Sequence, residues 1–165
     1  MDNITFVGLD VHEATVCVAV ADSARDGEVR QVGVFENRPD VLSRMVTWLG
    51  KNSRRLSFCY EEGPCGYGLH RQLTGAGHEC VVVAPSLIPI KAGDRVKTDR
   101  RDAMMLAKLH RAAELTAIWV PDQAHEAMRD LVRARAAAVR VLGKARQHLQ
   151  GFLLRHERVY HGPRA

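Results

Sequence analysis

The chain has 165 residues, of which 46% are hydrophobic, and it carries a formal net charge of +5 at pH 7. This length suits one α/β domain with a proper core plus a short appendage, and it is too short for two full domains. No stretch approaches the ~20 apolar residues of a membrane span, and the N-terminus lacks the basic and apolar regions of a secretory signal. We therefore expect a cytoplasmic protein.

The excess positive charge lies in the C-terminal part of the chain. Residues 1–120 carry 15 Lys or Arg against 15 Asp or Glu, whereas residues 121–165 carry 9 against 4. Such an excess can attract a polyanion, although taken by itself it is better explained as a solvated helix face.

Three strands and a helix are predicted first. Residues 4–10 form an apolar run that stops on an acid, and residues 14–21 alternate with β-branched side chains. A third run, 29–35, follows a polar turn, so we expect three antiparallel strands with Asp10 at the end of the first, central one. A proline and a glycine bracket an amphipathic helix at 39–50.

Strands and helices alternate after that point. A strand at 56–60 ends on the acid Glu61. A helix at 66–74 and a strand at 78–84 follow, and a connection leads to a last helix that opens at Asp99. The predicted order is β-β-β-α-β-α-β-α, a mixed α/β sheet.

Two carboxylates, Asp99 and Asp102, share one face of that last helix. One interpretation is a helix cap, with Asp99 as the N-cap and Asp102 three residues later. The other is a metal site in which a cation relieves their repulsion. The cations Lys97, Arg100 and Arg101 exceed what a cap requires and favour the second interpretation.

Acids thus stand at the ends of the first and fourth strands and at the start of the last helix. Because adjacent strand ends meet at one edge of a sheet, Asp10 and Glu61 can approach Asp99 and Asp102. Hard divalent cations prefer such oxygen ligands. Glu62 is the alternative to Glu61, since strand alternation points the two to opposite faces.

At four motifs, this chain resembles the N-terminal domain of the DEDD transposases of bacterial insertion sequences. These transposases are relatives of the pilin-gene invertase. The motifs are Gly-Leu-Asp-Val-His at 8–12, Tyr-Glu-Glu-Gly-Pro-Cys-Gly-Tyr at 60–67, Val-Ala-Pro-Ser-Leu-Ile-Pro at 83–89 and Lys-Thr-Asp-Arg-Arg-Asp-Ala at 97–103. The resemblance implies a RuvC-like, ribonuclease-H-type fold followed by a long C-terminal helix. It implies that Asp10, Glu61, Asp99 and Asp102 are catalytic and hold divalent metal, Mg²⁺ or Mn²⁺, which we expect as two ions.

The resemblance also implies partners and further parts. Full-length members cleave and transfer DNA at insertion-sequence ends and targets in the bacterial cytoplasm, guided by a bridge RNA, and a second domain supplies a serine nucleophile. We expect residues 1–117 to be the catalytic domain and residues 118–165 a basic helical connector, with the serine-bearing domain absent.

Basic residues flank the acids of the last motif. Lys91, Arg95 and Lys97 surround a glycine, which favours a loop that grips a phosphate backbone. Together with Arg100 and Arg101 they are the candidate nucleic-acid-binding residues.

A long helix is expected from 122 to about 156. Its apolar and small residues follow alternating three- and four-residue steps, as in a coiled-coil seam: Met128, Leu131, Ala138, Leu142, Ala145, Leu149 and Phe152. The pattern predicts pairing with the same helix in a homodimer or higher oligomer, or with a returning helix.

Two neighbours of the acids have open roles. His12 fits a proton shuttle, a phosphate contact or a plain turn residue. Tyr67 fits either stacking on a base or anchoring of the glycine-rich turn.

Rival functions remain. The first is a non-catalytic nucleic-acid-binding or dimerisation module whose acids are structural, and the second is a nuclease like the Holliday-junction resolvases. The third, an actin-like ATPase, lacks the Gly-Thr/Ser expected after Asp10.

Overall fold

The computed structural model describes residues 4–24, 27–52, 55–89 and 98–162. Its strands are β1 (Ile4–Val11), β2 (Thr15–Asp22), β3 (Val29–Glu36), β4 (Arg55–Glu61) and β5 (Glu79–Val83). Its α-helices are α1 (Pro39–Leu49), α2 (Gly68–Gly75), α3 (Asp99–Arg111) and α4 (Gln123–Arg155). The predicted order of elements, with a long helix at the end, is confirmed. No helix in the described part of the chain is both long and apolar enough to cross a membrane.

The five strands form one mixed sheet in the order β3-β2-β1-β4-β5. β2 pairs with β1 and β3 antiparallel, and short connections of the chain allow this pairing. β4 runs parallel to β1 and to β5, and helices make the crossovers. The central position predicted for the strand that ends at Asp10 is therefore confirmed.

Helices cover the sheet on both faces. Leu42 and Met45 of α1 and Leu73 of α2 pack with Val7 and Leu9 of β1 in the larger hydrophobic cluster. The opposite face packs against α3 through small side chains. These are Cys17, Ala19 and Ala21 of β2 and Ala103 and Ala107 of α3. Small residues on both sides allow the helix to approach the strands closely.

The chain divides into two compact units, Met1–Val120 and Pro121–Ala165. In the second unit, the carboxylate of Asp122 caps α4 by accepting a hydrogen bond from the amide of His125 at 2.8 Å. The large apolar residues of the predicted seam are at least half exposed: Met128, Leu131, Leu142, Leu149 and Phe152. The described residues thus leave an apolar stripe along α4.

A partly buried polar cluster fastens the end of α3 to the sheet. The Ser57 hydroxyl donates a hydrogen bond to Oε2 of Glu79 (3.1 Å) and lies 2.7 Å from Nε2 of His110. Because a carboxylate only accepts and a hydroxyl has one hydrogen, Nε2 of His110 must donate to Ser57. Burial lowers the pKa of His110, while the charge of Glu79 opposes that shift. The ring also meets Phe6 edge to face.

His110→Gln should make the stability of the first unit less sensitive to acid. A histidine whose pKa is lowered on folding stabilises the fold above its unfolded pKa, and that stability is lost as the pH falls through the folded pKa. As the pH is lowered from about 7.5 to 5.5, the urea midpoint of His110→Gln should therefore fall less than that of the wild type. The glutamine amide can still donate a hydrogen bond to Ser57. His148→Gln, at an exposed position of α4, is the matched control. If the urea midpoints of the wild type and His110→Gln fell equally with pH, the titration of His110 would not contribute to acid sensitivity.

Candidate metal centre

Asp10 lies near the end of the central strand, where β1 and β4 run side by side. The last register pair between these strands joins Leu9 to Tyr60, so Asp10 and Glu61 each follow a paired residue. The side chain of Asp10 is 17% exposed. The sheet therefore holds one carboxylate in a shielded position beside a second acid.

The helix cap at the start of α3 differs from the capping interpretation of the sequence. Thr98 is the N-cap, and its hydroxyl accepts a hydrogen bond from the amide of Arg101 at 3.4 Å. Asp99 is thus the first helical residue, and Asp102 the fourth. Since threonine already caps the helix, neither carboxylate is required for that purpose.

Three side chains from β1, the following turn and α3 come together. Nε2 of His12 lies 3.2 Å from Oδ2 of Asp10 and 3.5 Å from Oδ1 of Asp99. The ligand atoms of these three side chains all lie within 4.8 Å of one another. Among the described residues, this is the group of side chains that could hold a metal ion. Two carboxylates at this spacing fit a divalent cation, and the imidazole can either ligate that cation or orient a ligand through a hydrogen bond.

The electrostatics of Asp10 favour a bound cation. Burial raises the pKa of Asp10, the charges of Asp99 and Asp102 raise it further, and the charge and hydrogen bond of His12 lower it. The charges of Asp99 and Asp102 thus disfavour the ionised form of Asp10, whose own side chain is largely shielded from solvent. A divalent cation at this point would stabilise the ionised forms of these carboxylates.

Two of the predicted ligands lie outside the three-residue group. Asp102 is half-buried on the first turn of α3, near enough to act on Asp10 electrostatically. Glu61 is half-buried at the end of β4. Glu62 accepts a hydrogen bond from the hydroxyl of Tyr67, whose side chain is buried. This burial favours the turn-anchoring role of Tyr67 over stacking on a base.

The predicted nucleic-acid-binding residues divide into two sets. Arg100 and Arg101 are exposed on the first turn of α3, next to the acids. Lys91, Arg95 and Lys97 lie outside the described residues, so their role remains a prediction.

The family model of the DEDD transposases of the IS110 type, described as transposase, matches residues 7–157. The chain belongs to the DEDD transposase family. The resemblance drawn from the four sequence motifs is thereby confirmed.

Curated relatives of this DEDD transposase chain are also named as transposases. A protein named as a transposase, y4qE of Sinorhizobium fredii, is 54% identical over 160 residues. The transposase for insertion sequence element IS1533 of Leptospira borgpetersenii is 34% identical over 158 residues. The alignments cover 97% and 95% of this chain but only 41% and 45% of those relatives. The chain thus spans less than half the length of the relatives that it matches.

Solved structures of RuvC from Thermus thermophilus also align with the chain. Their TM-scores are 0.46 and 0.48, at 11% and 12% sequence identity. Each alignment covers 69% of this chain and 99% of the RuvC chain, and the first of these structures holds a Holliday junction substrate.

Sequence reasoning missed why this DEDD transposase chain has a glycine two residues before Asp10. A Cβ atom on Gly8 would overlap the carbonyl oxygen of Ala103 and the amide nitrogen of Ala107, both backbone atoms of α3. Glycine therefore lets α3 lie directly on β1, which brings Asp99 to Asp10. The motif contained the signal, but only the packing of the helix explains it.

Proposed function

We propose that the chain is the catalytic part of an insertion-sequence transposase that cleaves and transfers DNA strands during transposition. The observation that carries this proposal is the convergence of Asp10, His12 and Asp99 at the meeting point of β1 and α3. Membership in the DEDD transposase family supports the choice of reaction. The relatives named as transposases are longer, and this chain covers less than half of their length.

We propose Mg²⁺ or Mn²⁺ as the cofactor, bound as two ions. Asp10 and Asp99 would hold the first ion, and Asp102 and Glu61 would complete an oxygen-rich ligand set. Two such ions would neutralise charge at the attacking and leaving oxygens of a phosphodiester.

His12 would orient a ligand in this site. Its Nε2 faces two carboxylates, which only accept hydrogen bonds, so Nε2 donates to Asp10. Magnesium prefers oxygen to imidazole, so a hydrogen bond from His12 that fixes Asp10 suits this ion better than direct ligation.

DNA would approach along the exposed first turn of α3. Arg100 and Arg101 flank the acids, and a phosphate backbone held there would meet the metal centre directly. We propose that Lys91, Arg95 and Lys97 extend this contact. A bridge RNA is the proposed guide, and chromosomal DNA as a substrate would place the reaction in the bacterial cytoplasm.

The second unit would act as a connector and assembly helix. Leu131 and Leu142 are 65% and 50% exposed on α4, and an apolar stripe of this length is unusual on a soluble monomer. We propose that residues 118–165 pair with the same helix of another copy, giving a homodimer or a higher oligomer.

A Mn²⁺ titration followed by electron paramagnetic resonance tests the metal centre. Asp10→Asn should lower Mn²⁺ affinity by at least about tenfold, because it removes the charge of a ligand that is shielded from solvent. Asp130→Asn, an exposed acid of α4, should leave the affinity unchanged. In a DNA-cleavage assay with the same ion, Asp10→Asn should yield no product where the wild type does. A wild-type chain that fails to bind Mn²⁺ would refute the proposal and favour the non-catalytic module.

A further inference from the structure

Two adjacent carboxylates, Glu61 and Glu62, stand at the end of β4, and their neighbours tell which faces α3. Cys59, two residues before Glu61, packs in a cluster with Leu106 of α3 and hydrogen-bonds its carbonyl oxygen. Tyr60, two residues before Glu62, lies in the cluster on the opposite face of the sheet. Strand alternation therefore directs Glu61 toward α3 and Glu62 away from it.

Tyrosine hydroxyls fix the backbone just after this strand end. Tyr67 is 5% exposed, and its hydroxyl donates a hydrogen bond to Oε1 of Glu62. The amide of Glu62 donates to the carbonyl of Val83 in β5 at 2.8 Å. The hydroxyl of Tyr60 donates to the carbonyl of Gly66 at 3.3 Å. The turn is therefore held from the face opposite α3.

We propose that Tyr67 is a positioning residue of the metal centre, which holds Glu62 on the α2 side of the sheet and so leaves Glu61 as the carboxylate that faces Asp10. This inference rests on the metal centre proposed above. A shift of one residue in a strand exchanges the faces of all its side chains. The bond from Tyr67 opposes such an exchange at Glu61 and Glu62, where β4 ends.

The expected consequence is a loss of metal affinity when this hydrogen bond is removed. Outer hydrogen bonds that orient metal ligands typically affect affinity by about 10- to 100-fold. Tyr67→Phe and Glu62→Ala should each weaken Mn²⁺ binding by about tenfold. Glu62→Gln should bind Mn²⁺ like the wild type, because its side-chain carbonyl still accepts from Tyr67.

The experiment is a double-mutant cycle on the whole chain, with Mn²⁺ alone as the probe. Dissociation constants are measured by electron paramagnetic resonance at a temperature where circular dichroism shows every variant folded. The double variant Tyr67→Phe/Glu62→Ala should be no weaker than either single variant, since both remove the same bond. Tyr160→Phe, at an exposed tyrosine of the second unit, is the matched control.

Several results would overturn the inference. Unchanged affinity in Tyr67→Phe would remove its positioning role, and additive losses in the double variant would indicate two independent structural effects. A loss in Glu62→Gln as large as that in Glu61→Gln would make Glu62 the ligand. Asp10→Asn separates the two proposals. If Asp10→Asn binds Mn²⁺ normally, the proposed metal centre is wrong. If Asp10→Asn loses Mn²⁺ binding while Tyr67→Phe and Glu62→Ala keep it, only the role of Tyr67 is wrong.

Discussion

Gly8→Ala should destabilise the first unit by about 3 kcal/mol, the upper end of the usual range for overpacking a core. The added methyl group would overlap the backbone of Ala103 and Ala107, and backbone atoms cannot rotate away as a flexible side chain can. The whole of α3 would have to move outward from β1. Because α3 carries Asp99, Mn²⁺ affinity should fall together with stability.

Urea unfolding followed by tryptophan fluorescence measures this effect in the correct unit, since Trp48 and Trp119 both lie within Met1–Val120. Gly68→Ala is the control: Gly68 is the first residue of α2, and a Cβ atom there meets nothing within 4 Å. The free energy of unfolding of Gly68→Ala should differ from that of the wild type by less than about 1 kcal/mol. If Gly8→Ala were equally harmless, α3 could not lie as close to β1 as described.

Asp102→Asn should lower Mn²⁺ affinity by about tenfold while leaving stability without metal unchanged or slightly higher. Thr98 already caps α3, so the only helical contribution lost is the attraction of the carboxylate to the helix dipole, typically about 0.3–1 kcal/mol. Removal of one charge from beside Asp10 offsets that loss, because Asp102 raises the pKa of Asp10.

The two measurements are made on the same samples, by Mn²⁺ titration and by melting without metal. Thr98→Ala serves as the opposite control: it should reduce stability by about 1 kcal/mol through loss of the cap. Unaltered Mn²⁺ affinity in Asp102→Asn would remove this residue from the ligand set and leave it a helical acid.

Local patterns were enough to predict the architecture. The alternation at 14–21 and the apolar run at 4–10 predict adjacent strands, and Pro39 at the start of α1 predicts where that helix begins. These signals depend on the chain's own periodicity and on backbone geometry. They are therefore visible without any knowledge of tertiary contacts.

The site was only partly predictable, for a different physical reason. Carboxylates at strand and helix ends pointed to Asp10 and Asp99, whose ligand atoms do meet. The cap at Thr98 and the position of His12 between the two acids depend on side-chain conformations that spacing does not determine. The need for glycine at position 8 depends on how closely a helix distant in sequence approaches the strand.

The central position of β1, between an antiparallel and a parallel neighbour, has a consequence for folding kinetics. β1 and β2 are joined by a short turn and can pair early, whereas pairing with β4 and coverage by α3 require long loops to close. Asp10 and Asp99 therefore meet only when the slowest contacts have formed. We expect a divalent ion to act mainly after the rate-limiting barrier to folding, so that it slows unfolding and leaves the refolding rate nearly unchanged.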